Sequence, residues 1–311
     1  MAKSMHNAVM VSEVLDALQI KNGGRYIDAT LGGATHSIEM LKNLGPNGRL
    51  ISFDVDPLAL TNARSKQKDF GNRWQIVESN FRNIEQVANE SGLGPFDGIL
   101  FDLGISSDQL ADESKGISFQ IDGPLDMRLG PNANQDGLTA ATIVNRWSEK
   151  ELTRLFRVYG EEKRATSIAK AIVARRRQKK FETTFDLAGL IAEKSSQTAT
   201  KARIHPATKV FQALRIAVND ELESLKVALQ GARKILAPNG VIVVISFHSL
   251  EDRIVKQTFK SFKDFTVSKK PILPTENEIK INPRARSAKL RVAHKNAIQN
   301  QNLCPEPTLL L

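Results

Sequence analysis

The chain has 311 residues, 41% of them hydrophobic and 25% charged, a composition typical of a folded globular protein and not of a disordered one. Its 44 lysines and arginines against 34 acidic residues give a net charge of +10, which favours a polyanionic partner. The longest aliphatic run, residues 241–245, is too short for a membrane span of roughly 20 residues, and the sole cysteine, Cys304, excludes an intramolecular disulfide. We find no secretion signal and expect a cytoplasmic protein without membrane contact.

A strand and helix alternation runs through the first third of the chain and predicts an α/β domain. Asp56 followed by Pro57 predicts a helix reaching about residue 68, because aspartate caps helices and proline fits their first turn. The fourth strand is nearly continuous in apolar residues, as a buried parallel strand is. The predicted strands are residues 25–32, 48–56, 74–81 and 96–104.

The alternation breaks after the fourth strand. Residues 105–134 are rich in Ser, Asp, Gly and Pro and predict a long irregular loop, after which amphipathic patterns predict three helices. Ser148 and Glu151 have the spacing of a capping box at the start of the first. Between residues 146 and 180 there are 12 basic and 4 acidic residues, so this helical insert is strongly basic.

The α/β pattern then resumes with a long helical region, residues 205–236, followed by a strand, residues 240–247. Ser249 and Asp252 are predicted to cap the next helix, and two further strands are predicted near the end. We therefore predict an α/β sheet interrupted by an all-helical insert. Residues 1–105 and 205–311 are assigned to the sheet domain, and residues 106–204 to the loop and insert.

Glycines or polar side chains follow the predicted strands, at the sheet edge where open parallel sheets bind ligands. Gly32 and Gly33 would let the backbone approach a ligand, although a tight turn alone also needs glycine. Asp54, 22 residues after Gly32, could accept both hydroxyls of a ribose. Phe81 could stack on a purine or pack in the core, and Asp102 ends a buried strand, where an unused carboxylate is costly. Together they predict an adenosine cofactor.

Nine segments spread over almost the whole chain resemble the RsmH (MraW) family of bacterial 16S rRNA methyltransferases. The matching segments are residues 6–18, 26–37, 53–57, 96–110, 119–128, 159–165, 205–222, 246–256 and 282–291. The resemblance implies a Rossmann-like class I methyltransferase sheet and S-adenosyl-L-methionine as cofactor. It also implies that a methyl group is transferred to the exocyclic N4 of a decoding-site (P-site) cytidine in 16S rRNA of the small ribosomal subunit.

The resemblance also implies which residues bind the cofactor. These are Ala34, Thr35, His36, Asp54, Phe81, Asp102 and Gln109. Two departures from the family pattern stand out. The family loop usually carries more glycine where this chain has Ala34-Thr35, and the added methyl groups would crowd a close backbone approach. Ile117 replaces an aromatic residue of the family, which weakens the expectation of base stacking there.

Asp102 is the predicted catalytic residue, as the acceptor that holds the N–H groups of the cytosine amine and takes its proton. Ser106 or main-chain carbonyls are alternatives, since a proline-aromatic motif found in many amino-methyltransferases is replaced here by residues 103–107. The loop at residues 124–128 and the insert are expected to receive the flipped base. Phosphate contacts are expected from the basic residues of the insert and of a second cluster, namely Arg175, Arg176, Arg177, Lys179, Lys180, Arg284 and Arg286.

Other functions stay open on the sequence alone. The five histidines, including His6 and His248, show no ligand spacing, so no metal site is predicted, although His248 could face the substrate. A nicotinamide-dependent oxidoreductase is disfavoured by the incomplete glycine fingerprint. An RNA-binding assembly factor without catalytic activity is the second alternative. The sequence leaves open whether the protein is a homodimer.

Overall fold

The computed structural model describes residues 8–131, 133–134, 136–196 and 205–297, and His6 and Cys304 lie outside these ranges. The described residues form a sheet of seven strands in the order β3-β2-β1-β4-β5-β7-β6. The first five strands are parallel, and β7 runs antiparallel between β5 and β6. The strands are β1 Arg25–Asp28, β2 Arg49–Asp54, β3 Trp74–Glu78, β4 Phe96–Asp102, β5 Leu236–Ser246, β6 Phe265–Val267 and β7 Lys289–Lys295.

Thirteen α-helices accompany the sheet within the described residues. They are α1 Val11–Leu18, α2 Thr35–Asn43, α3 Pro57–Gln67, α4 Ile84–Ser91, α5 Ser107–Ala111, α6 Ala140–Arg146, α7 Glu149–Val158, α8 Ala165–Arg176, α9 Thr184–Ser196, α10 Thr208–Asn219, α11 Glu221–Ile235, α12 Ser249–Ser261 and α13 Glu276–Ile281. In the described part of the chain, none of these helices has the length and apolar character that crossing a bilayer requires.

The predicted α/β sheet interrupted by helices is confirmed, and so are two helix starts. Asp56 accepts a hydrogen bond of 3.0 Å from the backbone N–H of Leu58 and caps α3, whose first residue is Pro57. Ser148 and Glu151 form the predicted capping box at the start of α7. These starts were predictable because a cap depends on residues only two or three positions apart.

Three predictions about helices need correction. The region predicted as one irregular loop contains α5, whose capping box is formed by Ser106 and Gln109. The predicted long helical region is two helices, because Asp220 takes a left-handed conformation with φ of 48° between them. His248, and not Ser249 or Asp252, caps α12.

The buried apolar side chains form three clusters. Two of them cover the two faces of the sheet, and the third holds the insert helices α6 to α9 together. Helix α10 packs in the third cluster through Val210, Phe211 and Leu214. The predicted domain boundary at residue 205 thus precedes a helix whose apolar side chains meet the insert, and the division into two units stays a prediction.

Candidate active site

A cavity lies at the carboxyl ends of β1 to β4. The strand order reverses at this place, since β1 lies between β2 and β4, and such a switch point is where open α/β sheets bind ligands. Four of the seven predicted cofactor residues line the cavity, namely Asp54, Phe81, Asp102 and Gln109. The structure therefore brings together residues that are up to 55 positions apart in the chain.

Asp54 ends β2 with both carboxylate oxygens held by the backbone. Oδ2 accepts the N–H of Gly32 at 2.8 Å, and Oδ1 accepts the N–H groups of Val55 and Asp56 at 2.8 and 2.9 Å. Burial raises the pKa of Asp54 to about 6, against the opposing effect of these hydrogen bonds. The carboxylate is fixed in place and can accept further hydrogen bonds, as a ribose-binding group must. This acceptor chemistry fits the ribose hydroxyls of the predicted cofactor.

The loop after β1 separates into a part that lines the cavity and a part that does not. Gly32 lines it, whereas Ala34, Thr35 and His36 belong to the start of α2 and are not among its lining residues. Ala34 has a left-handed backbone with φ of 65° and is only 1% exposed. Its methyl group is therefore in the core and does not crowd the cavity. A contact of Ala34, Thr35 and His36 with the cofactor stays a prediction.

His36 lies close to the carboxylate of Asp102. Its Nε2 is 3.4 Å from Asp102 Oδ2, and neither ring nitrogen has a hydrogen-bond partner among the described residues. Burial lowers the pKa of His36, but the carboxylates of Asp102 and Asp28 raise it more, so the net shift is upward. Burial also raises the pKa of Asp28, to about 6. This upward shift favours the protonated imidazole beside Asp102.

Phe81 combines both roles that its position in the sequence left open. Its ring packs edge-on against Phe101, with 6.0 Å between the centroids and 89° between the ring planes. It also lines the cavity at the end of β3. The contact with Phe101 fixes the ring while leaving it at the cavity wall, where it can contact a purine.

The loop after β4 covers one side of this cavity. Lys115 Nζ lies 3.1 Å from Asp56 Oδ1 and donates to the carbonyl of Leu129 at 2.9 Å. Gly130 passes so close to β2 that a Cβ atom there would lie 2.0 Å from the carbonyl oxygen of Val55. Only glycine allows this approach, and it brings Leu129 to the cavity wall.

A second cavity adjoins the first. The two cavities share a wall made of residues 102–105 and Glu251. The second cavity is lined by residues from the sheet, the insert and the C-terminal region, including Ile117, Phe119, Phe211, Gln212, Arg215, Phe247, His248 and Arg284. It thus lies between the sheet and the helices of the insert.

The predicted base-binding elements are only partly at this second cavity. Leu125 and Met127 are buried in the third apolar cluster, and no residue of the segment 124–128 lines the cavity. Phe119, which stacks on His205 with 4.6 Å between the ring centroids, does line it. The aromatic surface of the second cavity is therefore supplied by Phe119, Phe211 and Phe247.

Asp102 is on the shared wall, whereas its predicted alternative Ser106 is not. Ser106 is 6% exposed, and its Oγ accepts the backbone N–H of Gln109 at 3.1 Å. The Gln109 side chain in turn accepts the backbone N–H of Ser106 through its Oε1 at 3.0 Å. This capping box uses the serine hydroxyl as an acceptor, whereas Asp102, like Glu251, faces both cavities.

Four charged or polar side chains lie together near the shared wall, and the sequence did not predict that they meet. They are Arg215, Glu221, His248 and Glu251. Arg215 donates to both oxygens of Glu221 at 2.7 and 2.9 Å, and Nε2 of His248 lies 3.0 Å from Oε1 of Glu251. Burial lowers the pKa of Arg215, but its pairing with Glu221 raises it above the ordinary value. The sequence signal was present, because Glu251 follows the end of β5 by only five residues.

Glu221, His248 and Glu251 also bring ligand-type atoms within 4.8 Å of one another, a distance compatible with a metal ion. Arg215 argues against that use, because its guanidinium already occupies both oxygens of Glu221 and places a positive charge there. The cluster is therefore better described as a buried network of charged and polar groups.

The basic residues of the insert divide into structural and exposed ones. Arg175 pairs with Asp186 at 2.7 Å and lies over the ring of Phe181, and Arg176 donates to the carbonyls of Val144 and Trp147. Arg175 and Arg176, two of the five basic residues, therefore stabilise the fold of the insert and need no RNA contact to explain their presence. The remaining three side chains, which are exposed, are Arg177, Lys179 and Lys180.

In the second basic cluster, Arg284 and Arg286 are both exposed. Arg284 Nη1 donates to Ser107 Oγ at 2.6 Å, and Arg284 lines the second cavity. A guanidinium at this position can bind a phosphate close to a base in the cavity.

The family model of the MraW methylase family matches residues 3–296. Two relatives, each called ribosomal RNA small subunit methyltransferase H, come from Thermomicrobium roseum and a Paenibacillus species and are 46% and 48% identical. The alignments cover 94% of this chain and 94% of the first relative, and 93% of this chain and 99% of the second. The chain belongs to the MraW methylase family. An rRNA methylase structure from Streptococcus thermophilus is 11% identical, with a TM-score of 0.41 over 92% of this chain and 93% of its own.

Membership of this family confirms that the protein is an S-adenosyl-L-methionine-dependent methyltransferase, as the sequence predicted. That Asp54 binds the ribose and Phe81 the purine in the first cavity stays a prediction. The nicotinamide-dependent alternative has no support in this family.

Proposed function

We propose that this protein transfers a methyl group from S-adenosyl-L-methionine to the exocyclic N4 of a decoding-site cytidine in 16S rRNA. The observation that carries the proposal is the shared wall between the two cavities, on which Asp102 faces both. A methyl donor in the first cavity and a base in the second would meet at that wall. The relatives that are 46% and 48% identical are named for ribosomal RNA of the small subunit, which supports this substrate and fits the predicted cytoplasmic location.

The bound cofactor would supply an electrophilic methyl group on a sulfonium, and the protein's part is to align and activate the amine. The amine of cytosine is a poor nucleophile because its lone pair is conjugated with the ring. Asp102 would accept one of its N–H groups and take the proton when the nitrogen is methylated. The backbone N–H of Gly104 donates to Asp102 Oδ1 at 3.2 Å and holds the carboxylate in position, and His36 Nε2 lies 3.4 Å from Oδ2.

The RNA would be held mainly through its phosphates. Arg177, Lys179 and Lys180 on the insert are exposed, and Arg284 lies at the edge of the second cavity. The target base must leave its stack to reach the shared wall, and Phe119 and Phe247 offer aromatic surfaces beside it.

The test is incubation with isotope-labelled S-adenosyl-L-methionine and small ribosomal subunits that lack the modification, followed by digestion of the rRNA to nucleosides and mass spectrometry. We expect label in N4-methylcytidine. Label in another nucleoside would contradict the N4 assignment. Cofactor binding without any label would exclude this substrate, and ribosome association without cofactor binding would favour the assembly-factor alternative.

A further inference from the structure

His248 and Glu251 are polar side chains on or beside the wall between the cavities, and both are largely buried. Their side chains are 13% and 5% exposed. Glu251 lines both cavities, and His248 lines the second. Polar groups buried in a protein normally have hydrogen-bond partners, so an orphan atom in this pair requires an explanation.

The hydrogen bonds of the pair define which atom donates and which accepts. Glu251 Oε2 accepts the backbone N–H groups of Phe247 and His248 at 2.8 and 3.2 Å, which leaves Oε1 as an acceptor. His248 Nδ1 accepts the N–H of Glu251 at 3.4 Å, which assigns the ring proton of the neutral imidazole to Nε2. Nε2 lies 3.0 Å from Oε1 but is not aligned for a hydrogen bond and is a buried donor without a partner.

We propose that Glu251 Oε1 and His248 Nε2–H read the Watson–Crick edge of the target base and select cytosine, an inference that rests on the proposed function. Cytosine presents an N–H donor at N4 beside an acceptor at N3. The carboxylate accepts from N4 and the imidazole donates to N3. Uracil presents the opposite pattern, an acceptor at O4 and a donor at N3, and is rejected because a buried donor and acceptor would each meet a like group.

The same contacts prepare the amine for reaction. The amine has two hydrogens, of which Glu251 holds the one on the N3 side and Asp102 the other. As the nitrogen forms its bond to the methyl carbon, the carbon–sulfur bond breaks and its electron pair stays on sulfur. The methylated nitrogen then carries one proton too many, which passes to Asp102, while the hydrogen at Glu251 stays on the product.

Capping of α12 explains only half of this arrangement. A cap requires Glu251 Oε2 at the two backbone N–H groups and His248 Nδ1 at the third, and all of these bonds are present. It does not require Oε1 or Nε2. Cap and base recognition can therefore be separated by substitutions that keep the first and change the second.

Two such substitutions are available. In E251Q the amide oxygen can remain at the backbone N–H groups, which turns the NH₂ group, a donor, toward the base where an acceptor is required. In H248N a good helix cap is kept, but the shorter side chain cannot reach the base. S148A, which removes a cap from α7 at an exposed site outside both cavities, is the matched control.

The experiment measures single-turnover methylation of small ribosomal subunits at saturating cofactor, together with the cofactor dissociation constant. We expect roughly tenfold to hundredfold slower methylation for E251Q and H248N, with cofactor affinity unchanged within about twofold, and a normal rate for S148A. Normal rates for E251Q and H248N would overturn the inference. Failure of the wild-type protein to form N4-methylcytidine would instead reject the proposed function.

A modified substrate base distinguishes a contact between the imidazole and N3 from a merely structural role of His248. Subunits are reconstituted with rRNA that carries 3-deazacytidine at the target position, in which N3 is replaced by a C–H group. Wild-type methylation of this base should slow about as much as H248N slows on cytidine, and H248N should cause little further loss. Equal losses from H248N on both bases would show that His248 does not contact N3 and would overturn its assignment.

Discussion

The two cavities of this protein are built from different kinds of sequence information. Much of the first lies at the ends of four successive strands, whose polar residues follow apolar segments at short distances along the chain, and residues of α10, α11 and α12 complete it. The second is formed where β5, the insert and the C-terminal region meet, and its wall combines Phe119, Arg215 and Arg284. Local pattern thus predicts a cofactor site well, whereas the substrate site emerges only from packing between distant segments.

The largest expected effect is at the wall that the cavities share. Asp102→Asn should slow methylation by about a hundredfold or more, because an amide takes up a proton far less readily than a carboxylate. Its Oδ1 can still accept the N–H of Gly104, so the loop after β4 should keep its shape. Single-turnover rates and cofactor binding measured on the same preparation check this. Near-normal turnover would remove Asp102 from the chemistry.

The next largest effect is expected on cofactor binding in the first cavity. Asp54→Asn should weaken cofactor binding roughly tenfold or more at pH 7.5, because hydrogen bonds from hydroxyls to a carboxylate are stronger than those to an amide. Turnover at saturating cofactor should change much less. Isothermal titration and steady-state kinetics distinguish the two, and a loss confined to turnover would place the ribose elsewhere.

The pH dependence of the same contact follows from the raised pKa of Asp54. Since burial raises it to about 6, the free protein takes up a proton there as the pH falls through that value. The neutral carboxyl is the poorer acceptor for two ribose hydroxyls, so cofactor affinity should fall below about pH 6 and level off above it. Asp54→Asn should flatten this part of the profile, and an unchanged profile would assign the titration to another group.

A smaller effect is expected at the exposed basic residues of the insert. Replacing Arg177, Lys179 and Lys180 with alanine should weaken RNA binding and reduce the slope of log affinity against log salt by up to about 0.9 for each phosphate that is no longer bound. Arg175→Ala should instead lower the free energy of unfolding, since Arg175 pairs with Asp186 and Phe181. An unchanged salt slope in the triple variant would exclude this face from the RNA interface.

The smallest effect concerns the loop after β1. Ala34→Gly should change the free energy of unfolding by no more than about 1 kcal/mol, because relief of the steric cost that alanine pays at φ of 65° is offset by the loss of a buried methyl group. Chemical denaturation measures the change. Cofactor affinity should be nearly unaffected, since the Ala34 methyl is in the core, and a large gain in affinity would show that it does crowd the cofactor.

Which residues of the site are predictable from the sequence depends on the same difference between the two cavities. Asp54, Phe81 and Asp102 were identifiable because each ends a strand whose apolar pattern is visible in the sequence, and parallel strands bring their ends together. The helix break at Asp220 and the cap by His248 were not, because they depend on a left-handed backbone and on an unusual capping residue. Glu251 lies within a segment that resembles the family, yet its role at two cavities depends on the position of the insert.

The central claim is that two adjoining cavities hold cofactor and target base separately. It is tested most directly by comparing two single variants in two measurements. The dissociation constant of the cofactor and the single-turnover rate at saturating cofactor are measured for Asp54→Asn and Glu251→Gln. The account predicts that the first variant changes mainly the dissociation constant and the second mainly the rate. If both variants changed both quantities equally, the two cavities would act as one site, and the account would be wrong.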